Sequence, residues 1–124
     1  SASTATTLEN TIVANNAGAN CYNVSSNGHN LEDANTCIGL DQSSDIHNGS
    51  PNLGPLADNG GSTTTHALND GSDAIDNGGA SACPPTDQRG NTRAIDGDFD
   101  GTVQCDIGAY EYGHAVFIPL VIRE

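Results

Sequence analysis

Lysine, methionine and tryptophan are absent from this chain. Without lysine there is no Schiff-base nucleophile, no P-loop lysine and no lysine-derived isopeptide crosslink. Three arginines against sixteen acids leave a formal net charge of −13. That balance argues against partners made of nucleic-acid phosphate or anionic membrane surface. Hydrophobic residues make up only 35% of the chain and aromatic ones 4%. A single domain of 124 residues should bury roughly two-thirds of the surface its unfolded chain exposes. The material for such a core is thin, and so negative a charge strains a compact fold unless cations offset it. Helix signals are nearly missing. The longest run free of Gly and Pro, residues 1–17, is rich in the poor helix formers Ser, Thr and Asn. No signal peptide and no initiator methionine are present, as expected of a processed or excised form. The most apolar segment, AVFIPLVIRE (115–124), has about seven apolar residues, too few for a bilayer core of roughly 30 Å.

What the chain does have is turns. Asn27-Gly28, Asn48-Gly49, Asn59-Gly60, Asp70-Gly71, Asn77-Gly78 and Asp96-Gly97 are pairs that supply the positive φ angles tight turns need. Between them lie short β-type runs: LENTIVA (8–14), HNLEDA (29–34), PNLGPL (51–56), THAL (65–68) and DAID (73–76). Asn10-Thr11-Ile12, Asn30-Leu31 and Asn52-Leu53 recur at spacings of 20 and 22 residues, close to one coil of a β-solenoid. In such coils Asn stacks on Asn at a turn; the alternative is coincidence in an Asn-rich chain. From Asp58 onward the texture is irregular, and loops that long need a disulfide, a metal or dense hydrogen bonding to order them.

Four cysteines, Cys21, Cys37, Cys83 and Cys105, avoid the C-x-x-C spacing of zinc and redox sites. They allow three connectivities, of which the local one, 21–37 with 83–105, is expected, against an alternative of buried free thiols. Disulfides place the chain in an oxidising compartment, extracellular or at a cell surface. Asn23 and Asn48 head glycosylation sequons, a pattern chance often produces in Asn-rich chains.

DNGGSTTTHAL (58–68), GSDAIDNG (71–78), TDQRGNTR (86–93) and DGDFDGTVQCDIGAYE (96–111) follow in that order. Together they resemble the C-terminal region of secreted bacterial right-handed parallel β-helix proteins of the choice-of-anchor Q type. NCYNVSSNGHNLEDANTC, with its paired cysteines, looks like the coil before that cap, so the resemblance spans roughly residues 8–112. Ser62 and Asp73 depart from it, standing where proline is expected. The resemblance implies an all-β fold: about three coils of parallel β-helix over 1–56, a loop-rich cap over 57–113, and an apolar terminal strand over 114–124. It implies no catalytic residues, and a fold alone supplies none. FIPLVIR (117–123) is similar to the short apolar tails that end such surface proteins. Pro119 restricts that strand to a sheet edge or bulge. Val116, Phe117, Ile118, Leu120, Val121 and Ile122 are the candidate assembly residues, packing on their own chain or adding to a neighbour's sheet.

Asp96, Asp98 and Asp100 stand at alternate positions before Gly101, the D-x-D-x-D-G opening of a calcium loop. The Thr102 carbonyl comes next. Where an EF-hand has its bidentate Glu this chain has Ile107, with Asp106 the nearest replacement. Structural Ca²⁺ held by Asp96, Asp98, Asp100, Thr102 and Asp106 is therefore expected; the plainer reading is a solvated acidic turn. Asp70, Asp73 and Asp76 read as surface acids. Arg89 and Arg93 are expected to pair with Asp87 or with acids of the calcium loop and so to organise the cap. A calcium-dependent polysaccharide lyase with an arginine base, or a hydrolase with paired carboxylates, needs a groove several coils long, for which the chain has little room. The four histidines show no metal spacing, and His66 reads as a hydrogen-bonded structural residue. The expectation is a non-enzymatic extracellular module that self-associates, as a filament subunit or terminal piece. The alternative is an adhesin or carbohydrate-binding module with a glycan-binding patch around Tyr110 and Tyr112.

Overall fold

The computed structural model describes residues 4–96 and 100–113. Its first half is four short strands in two parallel ladders. Strand β1 (Thr6–Leu8) pairs with β3 (Val24–Ser26), setting Thr6 opposite Val24; β2 (Ile12–Val13) pairs with β4 (Leu31–Glu32), setting Ile12 opposite Leu31. Leu31 is also bridged in parallel to Ile46. Ile12, Leu31 and Ile46 thus lie at successive levels, like residue on like, and each is packed in or against the hydrophobic cluster.

The stacking is shifted from the frame the sequence suggested. Asn30, fully buried, receives the Thr11 N–H on Oδ1, while its amide reaches Leu8 O, Ser26 Oγ and Asp45 Oδ1. The next level down is Asp45-Ile46: Asp45 Oδ1 accepts the Asn30 N–H at 3.0 Å. Asn52 takes no part, its amide donating to the Asp70 carbonyl. The third predicted coil, PNLGPL, instead contributes β5 (Leu53–Ala57), antiparallel to β6 (Thr65–Leu68). Pro55 cannot donate to the ladder, and the register slips between Leu53 and Leu56 around it. DAID is a turn, with Ile75 N–H donating to Ser72 O and Asp76 at φ +58°. The strand at Val24–Ser26 carries a polar VSS sequence and no apolar signal that would have announced it.

The chain is all-β, with small, mixed sheets, a single short 3₁₀ turn at Ala80–Ala82 and no α-helix among the described residues. No helix among them is long and apolar enough to cross a membrane. The disulfides are Cys21–Cys37 and Cys83–Cys105, with Cα atoms 4.8 and 6.1 Å apart. Leu31, Leu68, Ala74, Ile75 and Ile107 form the core, so residues from both halves meet in it. Backbone bonds sew the halves together: Gly108 N–H donates to Asn10 O, and Asp73 N–H to Ser50 O.

Asparagine does more of the turning than the Asn-Gly pairs predict. Asn10, Asn15, Asn23, Asn48 and Asn52 all hold positive φ, a region this side chain tolerates better than most. In Asn77-Gly78 the glycine serves another purpose. A Cβ there would lie 2.6 Å from the Asp106 carbonyl oxygen, so Gly78 lets two backbones approach.

Candidate functional site

In the second half, four charged side chains do the work a core would otherwise do. Asp87 is buried and accepts from Arg89 Nε and Nη2, at 3.0 and 2.8 Å, and from the N–H groups of Arg89, Asn91 and Glu111. Burial alone would push its carboxyl up. The Glu111 N–H, the guanidinium and the other donors outweigh that and hold it below its ordinary value. Arg89 also donates to the Glu111 carbonyl and stacks 3.6 Å from the centroid of Tyr110.

Arg93 does not pair with Asp87 or with the described acids of the expected calcium loop. Its Nε meets Glu111 Oε1 at 3.1 Å, and its Nη2 donates to the carbonyls of Asp106 and Gly108. Glu111, 1% exposed, further accepts the N–H groups of Asp106 and Ile95. Between the two flanking contacts, Ala94 sits at φ +64°, a strained position for a residue with a Cβ.

Asp106 departs furthest from expectation. It is fully buried, with one oxygen accepting the Asp76 N–H and the other the Tyr112 N–H. Burial drives its carboxyl up to about 7 against the pull of those two donors, and the charges of Glu111 and Asp76 push the same way. Asp76 is itself 8% exposed rather than a surface acid. Asp73 is exposed and bonded to Ser50 N–H.

The acidic turn lies apart from this network. Asp96 accepts the N–H groups of Asp100 and Gly101, and Asp100 Oδ1 accepts that of Thr102 at 2.7 Å. Asp98 lies outside the described residues, as do Val116, Phe117, Ile118, Leu120, Val121 and Ile122. Among the described residues no three His, Cys, Asp or Glu side chains are grouped as a metal site would require. Asp100 and Thr102 are exposed, whereas Asp106 has both oxygens committed to backbone donors elsewhere. A loop calcium ion would have to use Asp96, Asp98, Asp100 and Thr102 without it.

A groove of about 780 Å³ opens between residues 10–15, the β5–β6 pair and the 107–110 loop. Tyr110 lines it; Tyr112 instead packs against the core and does not line the groove. His66, on β6, points its Nδ1 at the Gly54 carbonyl, 2.9 Å away, and also lines it.

Comparison with protein-family models, curated proteins and solved structures found no match.

The charged network was half legible. TDQR places Asp87 two residues before Arg89, a spacing that brings a carboxylate and a guanidinium together across a tight turn. Glu111 had no such signal, because its partners, the Asp106 N–H apart, lie 16 to 24 residues away. In the first half, Glu32 was missed although its donors lie only four and five residues along the chain. Its carboxylate is fully buried and caps the turn at Thr36 and Cys37, accepting both N–H groups. Burial would raise its pKa, but those bonds outweigh it and hold the carboxyl below its ordinary value.

Proposed function

We propose that this chain is a structural module of an extracellular or surface-associated protein, an end-piece of a short right-handed parallel β-helix that self-associates. The observation that carries this reading is the pair of parallel ladders. Thr6 lies over Val24 and Ile12 over Leu31, 18 and 19 residues along the chain, the repeat expected when a chain winds in coils. Among the described strands, β1 and β2 each pair on one side only. A parallel edge of that kind is a template for another coil or another chain. The two disulfides suit an oxidising compartment, and the ordered motifs from 58 to 111 resemble the choice-of-anchor Q region. The apolar segment 116–122 is the one such assembly would use, and calcium at Asp96, Asp98, Asp100 and Thr102 would fasten the acidic turn. No catalytic role is assigned: the buried acids Asp87, Asp106 and Glu111 are spent on backbone N–H groups and arginines.

Analytical ultracentrifugation and electron microscopy of the native chain test the reading. Concentration-dependent assembly that is lost on deleting 115–124, with folding retained, is the expected result. A chain monomeric at every concentration would overturn self-association. Calorimetric titration should give weak calcium binding, on the order of 10⁻⁴ to 10⁻³ M, abolished in Asp98→Ala; no heat at millimolar calcium would remove the ion from the account.

A further inference from the structure

We propose that the groove between residues 10–15, β5–β6 and the 107–110 loop is a binding site for an uncharged oligosaccharide. Its volume of about 780 Å³ falls in the range of built ligand sites. The wall is the telling feature. In a chain with sixteen acids and a net charge of −13, no Asp, Glu or Arg among the described residues lines it. An anionic ligand would be repelled by the chain's overall field, and a cationic one would find no carboxylate to meet it. A neutral ligand suits both facts.

The lining also has two textures. Ile12, Leu53 and Leu56 supply apolar surface, while Asn15, Thr64, His66, Gln88 and Tyr110 supply donors and acceptors. A pyranose has the same division, with C–H faces and hydroxyl edges. A purely apolar occupant would strip water from the amides and hydroxyls without replacing their hydrogen bonds.

Three of the polar groups are pre-oriented. His66 Nδ1–H donates to the Gly54 carbonyl, which leaves Nε2 of the neutral ring as an acceptor for a hydroxyl. Gln88 Nε2 donates to Thr63 Oγ1 at 2.8 Å, fixing the plane of its amide and leaving Oε1 as an acceptor. Tyr110 is held by the Arg89 guanidinium, itself clamped by Asp87. Groups fixed before binding lose little entropy when a ligand arrives. This site goes beyond the structural reading, and neither depends on the other.

The test uses the full chain and five neutral hexasaccharides as probes: cello-, chito-, manno-, xylo- and maltohexaose, with oligogalacturonate as the charged control. Titration calorimetry should show binding to at least one neutral series and none to the acidic one. Gln88→Ala and His66→Ala remove exposed side chains, so folding should survive, and each should weaken binding roughly 3- to 10-fold. Absence of binding by every neutral probe at about 10 mM, equal binding of oligogalacturonate, or affinities unchanged in both variants would each overturn the proposal. So would a silent titration in which Leu56→Asp, at the groove's rim, changes the association state, since the groove would then belong to a protein segment.

Discussion

Residues 4–50 and residues 58–113 solve one problem, a shortage of apolar side chains, in different ways. The first region stacks short strands and lets one buried amide, Asn30, tie three levels together. The second has, among its described residues, a single strand, β6, and ties its loops with buried ion pairs, Asp87–Arg89 and Glu111–Arg93. The difference is in what a failure costs. A neutral amide that loses its partners leaves dipoles unpaired; a buried charge that loses its partner leaves an ion in low dielectric.

The largest effect should therefore come from breaking the second region's device. Arg93→Ala leaves Glu111 buried without its cation and two carbonyls without their donor, and should cost about 3–5 kcal/mol in chemical denaturation. A loss below about 1 kcal/mol would mean that water reaches Glu111 and that the contrast between the regions is false.

Acid titration probes the same region with a smaller effect of opposite sign to habit. Asp106, raised to about 7, holds a proton in the folded state between pH 4 and 7 that the unfolded chain has released. Stability should therefore rise as pH falls from 7 towards 4, by at most about 4 kcal/mol. Below that, Asp87 and Glu32, both lowered, lose their contribution as they are protonated, and stability should fall again. Urea midpoints at pH 7.5, 4.5 and 2.5 would read both limbs. Asp106→Asn should flatten the limb between 4 and 7 while leaving the acid limb, whereas an unchanged profile would assign the upper limb to another group.

Much of this division was legible in the sequence and some was not. The all-β class and the loop-rich character after Asp58 followed from the absence of helix formers and the density of Gly, Asn and Asp. The apolar partners Ile12 and Leu31 were visible, but their register was not. The eye aligned Asn10 with Asn30, while packing aligned Ile12 with Leu31, one residue off. A level at Asp45-Ile46 carries no asparagine and so escaped the pattern. In the second region, a carboxylate's fate depends on N–H groups brought from far along the chain, which is why Asp106 read as a calcium ligand and is a buried backbone acceptor.

Breaking the first region's device should cost less than breaking the second's. Asn30→Ala removes the acceptor of Thr11 N–H and the donors to Leu8 O and the Asp45 carboxylate, and should cost about 2–3 kcal/mol, with only a small change in pH dependence because Asp45 keeps the N–H groups of Asn30 and Gln42. If the loss equalled that of Arg93→Ala, the amide and the ion pair would be equivalent devices.

The finest comparison is between the disulfides, one in each region. Cys21–Cys37 closes a separation of 16 residues and Cys83–Cys105 one of 22. If each acts only by restricting the unfolded chain, replacing either pair with Ala should cost about 3 kcal/mol, and the two losses should differ by only about 0.3 kcal/mol. The folded-state contacts around them are unlike. Cys37 N–H is held by Glu32, which is also within 3.5 Å of His47, whereas Cys105 presents its carbonyl to the close-packed Gly78. A difference above about 1 kcal/mol in paired denaturation experiments would show that a staple is supporting its neighbourhood rather than merely shortening the unfolded chain. Cys83–Cys105 would then be the dearer loss, because Cys105 adjoins Asp106, and loosening it would admit water to the buried carboxylates on which the second region depends.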